Sequence, residues 1–362
     1  MSLTLKKEGK SLRDPKAIPI VCPVRNEESL LPHFIRHHRG LGIRNFIFID
    51  NGSTDSTAAI IEDAPDCTLI ETHDNYVEAK FGATWVSEVL NTYASGRWGI
   101  YLDCDEFLIF PEMEQVELDA FIETTAEASG ADSFWAMMID TYPDGQWEEF
   151  NLSDDTSILD QVGCFDKDYV VRKPPVRPYE SESPHAIEVL GGPRMRLEMP
   201  LERAQSRGWM TYAVAGQVDR FVDKVPMSLM PALARYWPSP KMAQYKNPLN
   251  LITPGFKYGY SHGSSNRNRA PSMLAVMHVK FCDDLFKNID PNFAYHHHYQ
   301  RGLERFRLSE ALKTWGDRPM VYEGTRQYQG SASLLEHGLI GEAPAAVWTE
   351  GLPSFRTGLG AH

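Results

Sequence analysis

The sequence predicts an α/β fold: a mixed sheet flanked by helices, with irregular C-terminal elaborations. Two observations carry this. Over roughly the first 140 residues, short continuous apolar runs alternate with amphipathic stretches of helical length, the pattern of parallel strands joined by helical crossovers. Beyond about residue 143 that alternation gives way to turn-rich, proline-rich and glycine-rich sequence.

The elements follow in order. IPIVCPV (18–24) is an apolar run of the kind found in a strand covered on both faces, and SLLPHFIRHHRGLG (29–42) has helical apolar spacing and stops at glycine. NFIFIDN (45–51) is a second strand, DSTAAIIEDA (55–64) a helix capped by Thr54 or Asp55, and CTLIETH (67–73) a third strand. In AKFGATWVSEVLNTYASG (79–96), Phe81, Trp85, Val86, Val89, Leu90 and Tyr93 share one helical face, and Gly96 closes the helix. WGIYLDCDEFLIF (98–110) reads as one long fourth strand, QVELDAFIETTAEASG (115–130) as a helix and ADSFWAMMIDTY (131–142) as a further strand. Later, FKYGYSHGSS and SMLAVMHVKF read as strands, with His262 and His278 near their ends, and the stretch after PNFAYHHHYQ turns helical.

This organisation predicts a flexible tail at 1–16, an α/β half at 17–145, a region completing the same domain at 146–285, and a helical and irregular extension at 286–362 whose last 35 or so residues are peripheral. The net charge of −13, from 36 basic and 49 acidic residues, argues against nucleic acid or an anionic lipid surface as default partner. Five scattered cysteines without a CxxC pair fit reduced thiols in a cytoplasmic protein. No apolar run approaches the roughly 20 residues of a membrane span.

In parallel sheets, ligands bind outside the carboxyl ends of the strands. Three polar clusters lie there: Arg25-Asn26-Glu27, then Asp50-Asn51 with Ser53 and Asp55, then Asp103, Asp105 and Glu106. Strand alternation would put Asp103 and Asp105 on one face, where two like charges need a cation between them or a shared proton. Oxygen ligands favour Mg²⁺ or Mn²⁺; a proton-sharing or structural pair is the alternative. His278 could complete such a site, with Lys280 on the same face to neutralise phosphate; the other reading of His278 is a hydrogen-bonded core histidine. His262 is a weaker ligand candidate, and the adjacent His296, His297 and His298 do not suit convergence on one ion.

VRNEE (24–28), His37 followed by Leu41-Gly42, DNGSTDST (50–57) and DCDEF (103–107), in this order, resemble the GT-A glycosyltransferases, closest to family 2 and its relatives. The likeness is densest over 18–110. GCFDKD, GGPRMR and AVMHVKF are similar to later segments of the same relatives. The resemblance implies a GT-A, Rossmann-like fold and a nucleotide pocket lined by Val24, Arg25, Asn26 and Glu27. It implies that Asp50 hydrogen-bonds the base or ribose, while Asn51, Ser53 and Asp55 shape the loop. Asp103, Asp105 and His278 would bind the metal, with Lys80 and Lys280 near the diphosphate.

The implied reaction transfers one sugar from a nucleotide diphosphate sugar, UDP-type, to a hydroxyl of a saccharide or glycolipid acceptor, with inversion, in polysaccharide or glycoconjugate assembly. Mn²⁺ or Mg²⁺ would be the cofactor. Asp140, ending a strand, is the candidate base, against a turn-capping role; Asp144 and Glu148 compete with it. The Gln-x-x-Arg-Trp motif of processive synthases is absent. A sugar-phosphate nucleotidyltransferase or an NAD-dependent dehydrogenase would need a glycine-rich turn after the first strand, where VRNEES stands instead. A non-catalytic nucleotide- or sugar-binding module on the same fold is the remaining alternative.

Overall fold

A computed structural model of the chain describes residues 2–145, 152–172, 188–198, 229, 244–260, 262–281, 303–316 and 318–343. Within them the architecture is mixed α/β, with mixed sheets and flanking helices.

The first half runs β1 (Thr4–Lys7), β2 (Pro19–Val24), α1 (Leu31–Gly40), β3 (Asn45–Asp50), α2 (Thr57–Asp63), β4 (Cys67–Glu71), α3 (Ala83–Tyr93), β5 (Trp98–Tyr101), β6 (Glu106–Ile109), α4 (Leu118–Ile122) and β7 (Ala136–Tyr142). A π-helical turn over Glu123–Glu127 prolongs α4. The second half runs α5 (Ile158–Gln161), β8 (Cys164–Asp166), β9 (Tyr169–Arg172), β10 (Glu188–Gly191), α6 (Gly192–Glu198), β11 (Tyr245–Lys246) and β12 (Leu249–Leu251). It continues with β13 (Tyr258–Tyr260), β14 (Gly263–Ser264), β15 (Ser272–Val279), α7 (Leu303–Trp315), β16 (Thr325–Gln327), α8 (Ser331–Leu335) and β17 (Gly341–Glu342).

The first sheet has the order β1-β4-β3-β2-β5-β12. Its four inner strands are parallel, and the two edge strands are antiparallel to them. Alternation along each inner strand feeds two cores. Ile20, Cys22, Phe46 and Phe48 pack with Leu31 and Phe34 of α1 and Ile61 of α2. Val21, Ile47 and Ile49 pack with Trp85, Val86, Val89 and Leu90 of α3. Burial on both faces explains why these strands read as unbroken apolar runs.

The second sheet takes β16, β8, β7, β15 and β17 in order, with β6 also paired to β15 and β11 to β7. Strand β15 runs parallel to β7 and antiparallel to β6, setting His278 beside both Asp140 and Glu106.

Three expectations are corrected. The run 98–110 is not one strand: β5 belongs to the first sheet and β6 to the second, and the chain bends between them, closed by the Glu106 N–H to Asp103 O bond at 3.1 Å. The tail at 1–16 is not free, because β1 pairs with β4, Lys7 Nζ donates to Ile61 O at 2.8 Å and Leu12 is buried. Nor is the stretch 320–343 peripheral: β16 pairs with β8, β17 with β15, and Leu334, Leu339 and Ile340 lie in the main core. Among the described residues, no helix is long and apolar enough to cross a membrane.

Candidate functional site

The parallel strands end on one rim, and the loops that leave it are locked to one another. Asp50 is buried and accepts the Ser53 N–H at 3.1 Å and the Ser53 hydroxyl. That hydroxyl accepts the Asn26 N–H at 3.0 Å. The Asn26 side chain in turn accepts the Thr54 N–H at 2.8 Å, with Asn26 held at φ 57, a left-handed conformation asparagine tolerates. Asp55 accepts the Glu28 and Thr57 N–H groups at 3.1 and 3.0 Å, and the Thr57 hydroxyl accepts the Glu27 N–H at 2.8 Å. Asn51 donates to Thr72 O and Asp74 O at 3.2 and 3.1 Å.

Several of the residues on this rim thus brace the loops, as expected of Asn51, Ser53 and Asp55. Val24 sits in the core with its carbonyl bound by Asn51 N–H. Asp50, Asn51, Ser53, Asp55 and Asn26 spend the polar atoms just described on loop geometry. Arg25 and Lys80 are exposed and Glu27 half-buried on the rim.

The loop between β4 and α3 leans over the same rim. Lys80, Phe81 and Gly82 take positive φ in succession (53, 57 and 80°), a strained conformation of the sort that clusters at functional sites. A Cβ on Gly82 would come within 3.1 Å of Pro23 and 3.3 Å of Tyr76. Burial, together with the charges of Asp103, Asp105 and Glu106, pushes the Tyr76 phenol up.

The bend itself gathers the chemistry. Asp105 Oδ2 lies 3.1 Å from His278 Nε2 and 3.4 Å from Lys280 Nζ. Desolvation works against the Asp105 charge, but Lys280 and His278 outweigh it and hold the carboxyl far below its ordinary value. His278 Nδ1 lies 2.8 Å from Asp140 Oδ1, and Arg194 Nε donates to Asp140 Oδ2 at 2.6 Å. Burial disfavours charge on Asp140, yet Arg194 and His278 bring its carboxyl down to about 2. Burial likewise opposes an imidazolium at His278, and Asp105 leads the groups that raise it overall.

On the other side of the bend, Lys246 is fully buried, 2.5 Å from Glu106 Oε2, 3.5 Å from Asp103 Oδ2 and 4.2 Å from the centre of the Tyr101 ring. Burial pushes the Glu106 carboxyl up; Lys246 opposes this, while Asp103 and Asp105 add to it. The Asp103 side chain remains 36% exposed. Asp103, Asp105, Glu106 and Asp140 thus face Lys246, Lys280, Arg194 and His278, so the chain supplies its own counter-charges.

Asp140, the expected base, is fully buried, with one oxygen engaged by His278 and the other by Arg194. Asp144 is exposed just past β7. Glu148 and the run His296, His297 and His298 lie outside the described residues. His262 donates through Nδ1 to Tyr245 O at 2.8 Å, and burial followed by Lys246 lowers it to about 4.

Sequence reading missed Lys246 and Arg194. A buried lysine in QYKNP carries no periodic signal, since lysine is ordinarily a surface residue. Arg194 had a partial one: Gly191-Gly192 before Pro-Arg-Met-Arg marks a tight helix entry. Gly192 has φ 78, and a Cβ there would stand 2.7 Å from Tyr169 Oη.

Two ligand-type atoms meet at one corner of the bend. His278 Nδ1 faces Asp140 Oδ1 and Nε2 faces Asp105 Oδ2, so both ring nitrogens meet carboxylates; the imidazolium serves both, and a divalent ion taken up at Nε2 would displace that proton and leave the other on Nδ1. Nε2 and Oδ2, 3.1 Å apart, need a proton or cation between them. Neighbouring ligands of an octahedral ion, each about 2.1 Å from it, stand roughly 3 Å apart. Among the described residues, no three His, Cys, Asp or Glu side chains form a ready cage.

No known family profile matches the chain, and no curated protein matches it. Among solved structures, that of TarS from S. aureus is similar over 37% of this chain and 26% of that chain, with 14% identity and a TM-score of 0.28. A likeness at that level carries no argument about fold or activity.

Proposed function

We propose that this chain is a metal-dependent glycosyltransferase of the GT-A type, transferring a single sugar from a nucleotide diphosphate sugar, UDP-type, to a hydroxyl acceptor with inversion. One observation carries the reading: Asp105 meets His278 and Lys280 at a sheet-switching bend, on the rim where the loops of β2 and β3 interlock.

Asp105 and His278, with Asp103 beside them, would hold Mn²⁺ or Mg²⁺. Such an ion supplies Lewis-acid stabilisation of charge growing on a departing diphosphate. Lys280 offers a second positive charge to the same oxygens. Lys246 keeps Asp103 and Glu106 in place without entering the pocket. The Asn26–Ser53–Asp50 chain of hydrogen bonds would give the nucleotide a rigid floor. Asp140 remains a candidate base, and Asp144, exposed just past β7, competes with it, because an exposed carboxylate can accept a proton from an acceptor hydroxyl.

A thermal-shift panel with UDP, GDP, CDP, TDP and NAD, each with and without Mn²⁺, tests this. A melting shift for one diphosphate that requires the metal is expected and identifies the donor base. Shifts that ignore Mn²⁺, or none with any diphosphate, contradict the reading and favour a binding module.

A further inference from the structure

The helix α6 places two arginines on two buried carboxylates. Arg194 donates to Asp140 on β7, and Arg196 forms a two-pronged pair with Asp166 on β8 at 3.0 and 3.2 Å. The two pairs look alike in sequence but differ in what lies beyond them. Behind Asp166 is the Tyr142 hydroxyl, which donates to it at 2.6 Å, with Arg196 also bound to Met320 O at 2.9 Å and stacked 4.2 Å from the Tyr322 ring. Behind Asp140 is His278, and behind His278 is Asp105.

We propose that Arg194 is a positioning residue that acts through Asp140 to fix His278 as its Nδ1–H tautomer, so that Nε2 is presented to a divalent cation shared with Asp105. This rests on the metal-site reading above. Arg194 Nε occupies Asp140 Oδ2, which leaves Oδ1 for the imidazole and sets the direction of the carboxylate. Its positive charge offsets a carboxylate with no exposure to water. An imidazole that donates Nδ1–H to a carboxylate has its ring plane and its free lone pair fixed together, and loss of such a partner typically costs about 10–100-fold in metal affinity. Arg196 sits two residues away on the same helix and has no route to His278, which makes it an internal control.

The test titrates the full chain with Mn²⁺ alone, following the free-ion electron paramagnetic resonance signal. In parallel, long-range ¹⁵N–¹H spectra of ¹⁵N-histidine protein loaded with diamagnetic Mg²⁺ report which ring nitrogen of His278 keeps its proton. Arg194→Met is expected to lose the single Nδ1–H signature and to weaken Mn²⁺ binding about 10-fold or more. Arg194→Lys, which keeps the charge, is expected to recover most of both. Arg196→Met is expected to lower the melting temperature while leaving tautomer and Mn²⁺ affinity as in wild type.

Wild-type affinity in Arg194→Met, or an equal loss in Arg196→Met, overturns the inference. Should Arg194→Met fail to fold, the near-isosteric Asp140→Asn carries the same expectation, and unchanged Mn²⁺ affinity there overturns it equally. If the wild-type chain takes up no Mn²⁺ even with UDP present, both the metal-site reading and this inference fall. Wild-type binding with an unaffected Arg194 variant removes the inference alone.

Discussion

Lys246 Nζ stands 2.5 Å from Glu106 Oε2, and neither side chain has appreciable access to water. The Glu106 carboxylate also accepts the Asp103 N–H at 2.8 Å, so the pair pins the bend that joins the two sheets. Breaking a buried ion pair from one side leaves an uncompensated charge and costs about 3–5 kcal/mol. Lys246→Met is therefore expected to lower unfolding free energy by that order in urea. The double variant Lys246→Met/Glu106→Gln should recover a large part of it. A single variant as stable as wild type would remove the pair from the account.

His37 and His38 clamp the backbone of Leu108 in β6. The His37 ring lies 2.9 Å from Leu108 O through Nε2, and Leu108 N–H donates to His38 Nε2 at 3.3 Å while His38 Nδ1 reaches Phe34 O at 2.8 Å. Burial lowers both histidines, His37 to about 4. Their neutral form is the folded one, so the unfolded chain binds more protons below about 6.5. The stability they contribute is full above 6.5 and is lost as pH falls toward 4; for His37 this amounts to at most about 3 kcal/mol. Urea melts from pH 7.5 to 4.5 should fall more steeply for wild type than for His37→Asn/His38→Asn, and parallel slopes would contradict this.

Lys280 reaches Asp105 from the open side of the bend, with about a quarter of its side chain exposed. A charged hydrogen bond is worth about 1.5–3 kcal/mol. Lys280→Met should weaken UDP binding in the presence of Mn²⁺ by roughly 10–100-fold, on the scale of about 1.4 kcal/mol per decade. Mn²⁺ affinity measured without nucleotide should hold or rise, because Lys280 competes with the ion for Asp105. A loss of Mn²⁺ affinity in this variant would assign Lys280 to the metal site instead.

The parallel half of the fold was legible because its strands are buried on both faces, and continuous apolar runs such as NFIFID have few other readings. The rim was legible for the same reason: polar clusters directly after such runs have only the sheet edge to occupy. The sheet switch at Asp103–Asp105 was not, because WGIY and FLIF are equally apolar and only the pairing partner distinguishes them. The short strands β1, β16 and β17 were missed because their stability comes from the neighbouring edge, not from their own pattern. Asp140 was seen, but its role depends on Arg194 approaching from 54 residues away. Ser53 and Asp55 were read as shaping the loop, but the particular hydrogen bonds they make to Asn26, Glu28 and Thr57 are set by loop packing that no local pattern encodes.

The most direct measurement is calorimetric titration of UDP into the wild-type chain and into Asp105→Ala, each with Mn²⁺ and with EDTA. The carboxylate bend as a metal–diphosphate site predicts binding to wild type only with Mn²⁺, and none to Asp105→Ala under either condition, with the far-ultraviolet circular dichroism of the variant unchanged. Equal UDP affinity in the two proteins, or wild-type binding that survives EDTA, would contradict it.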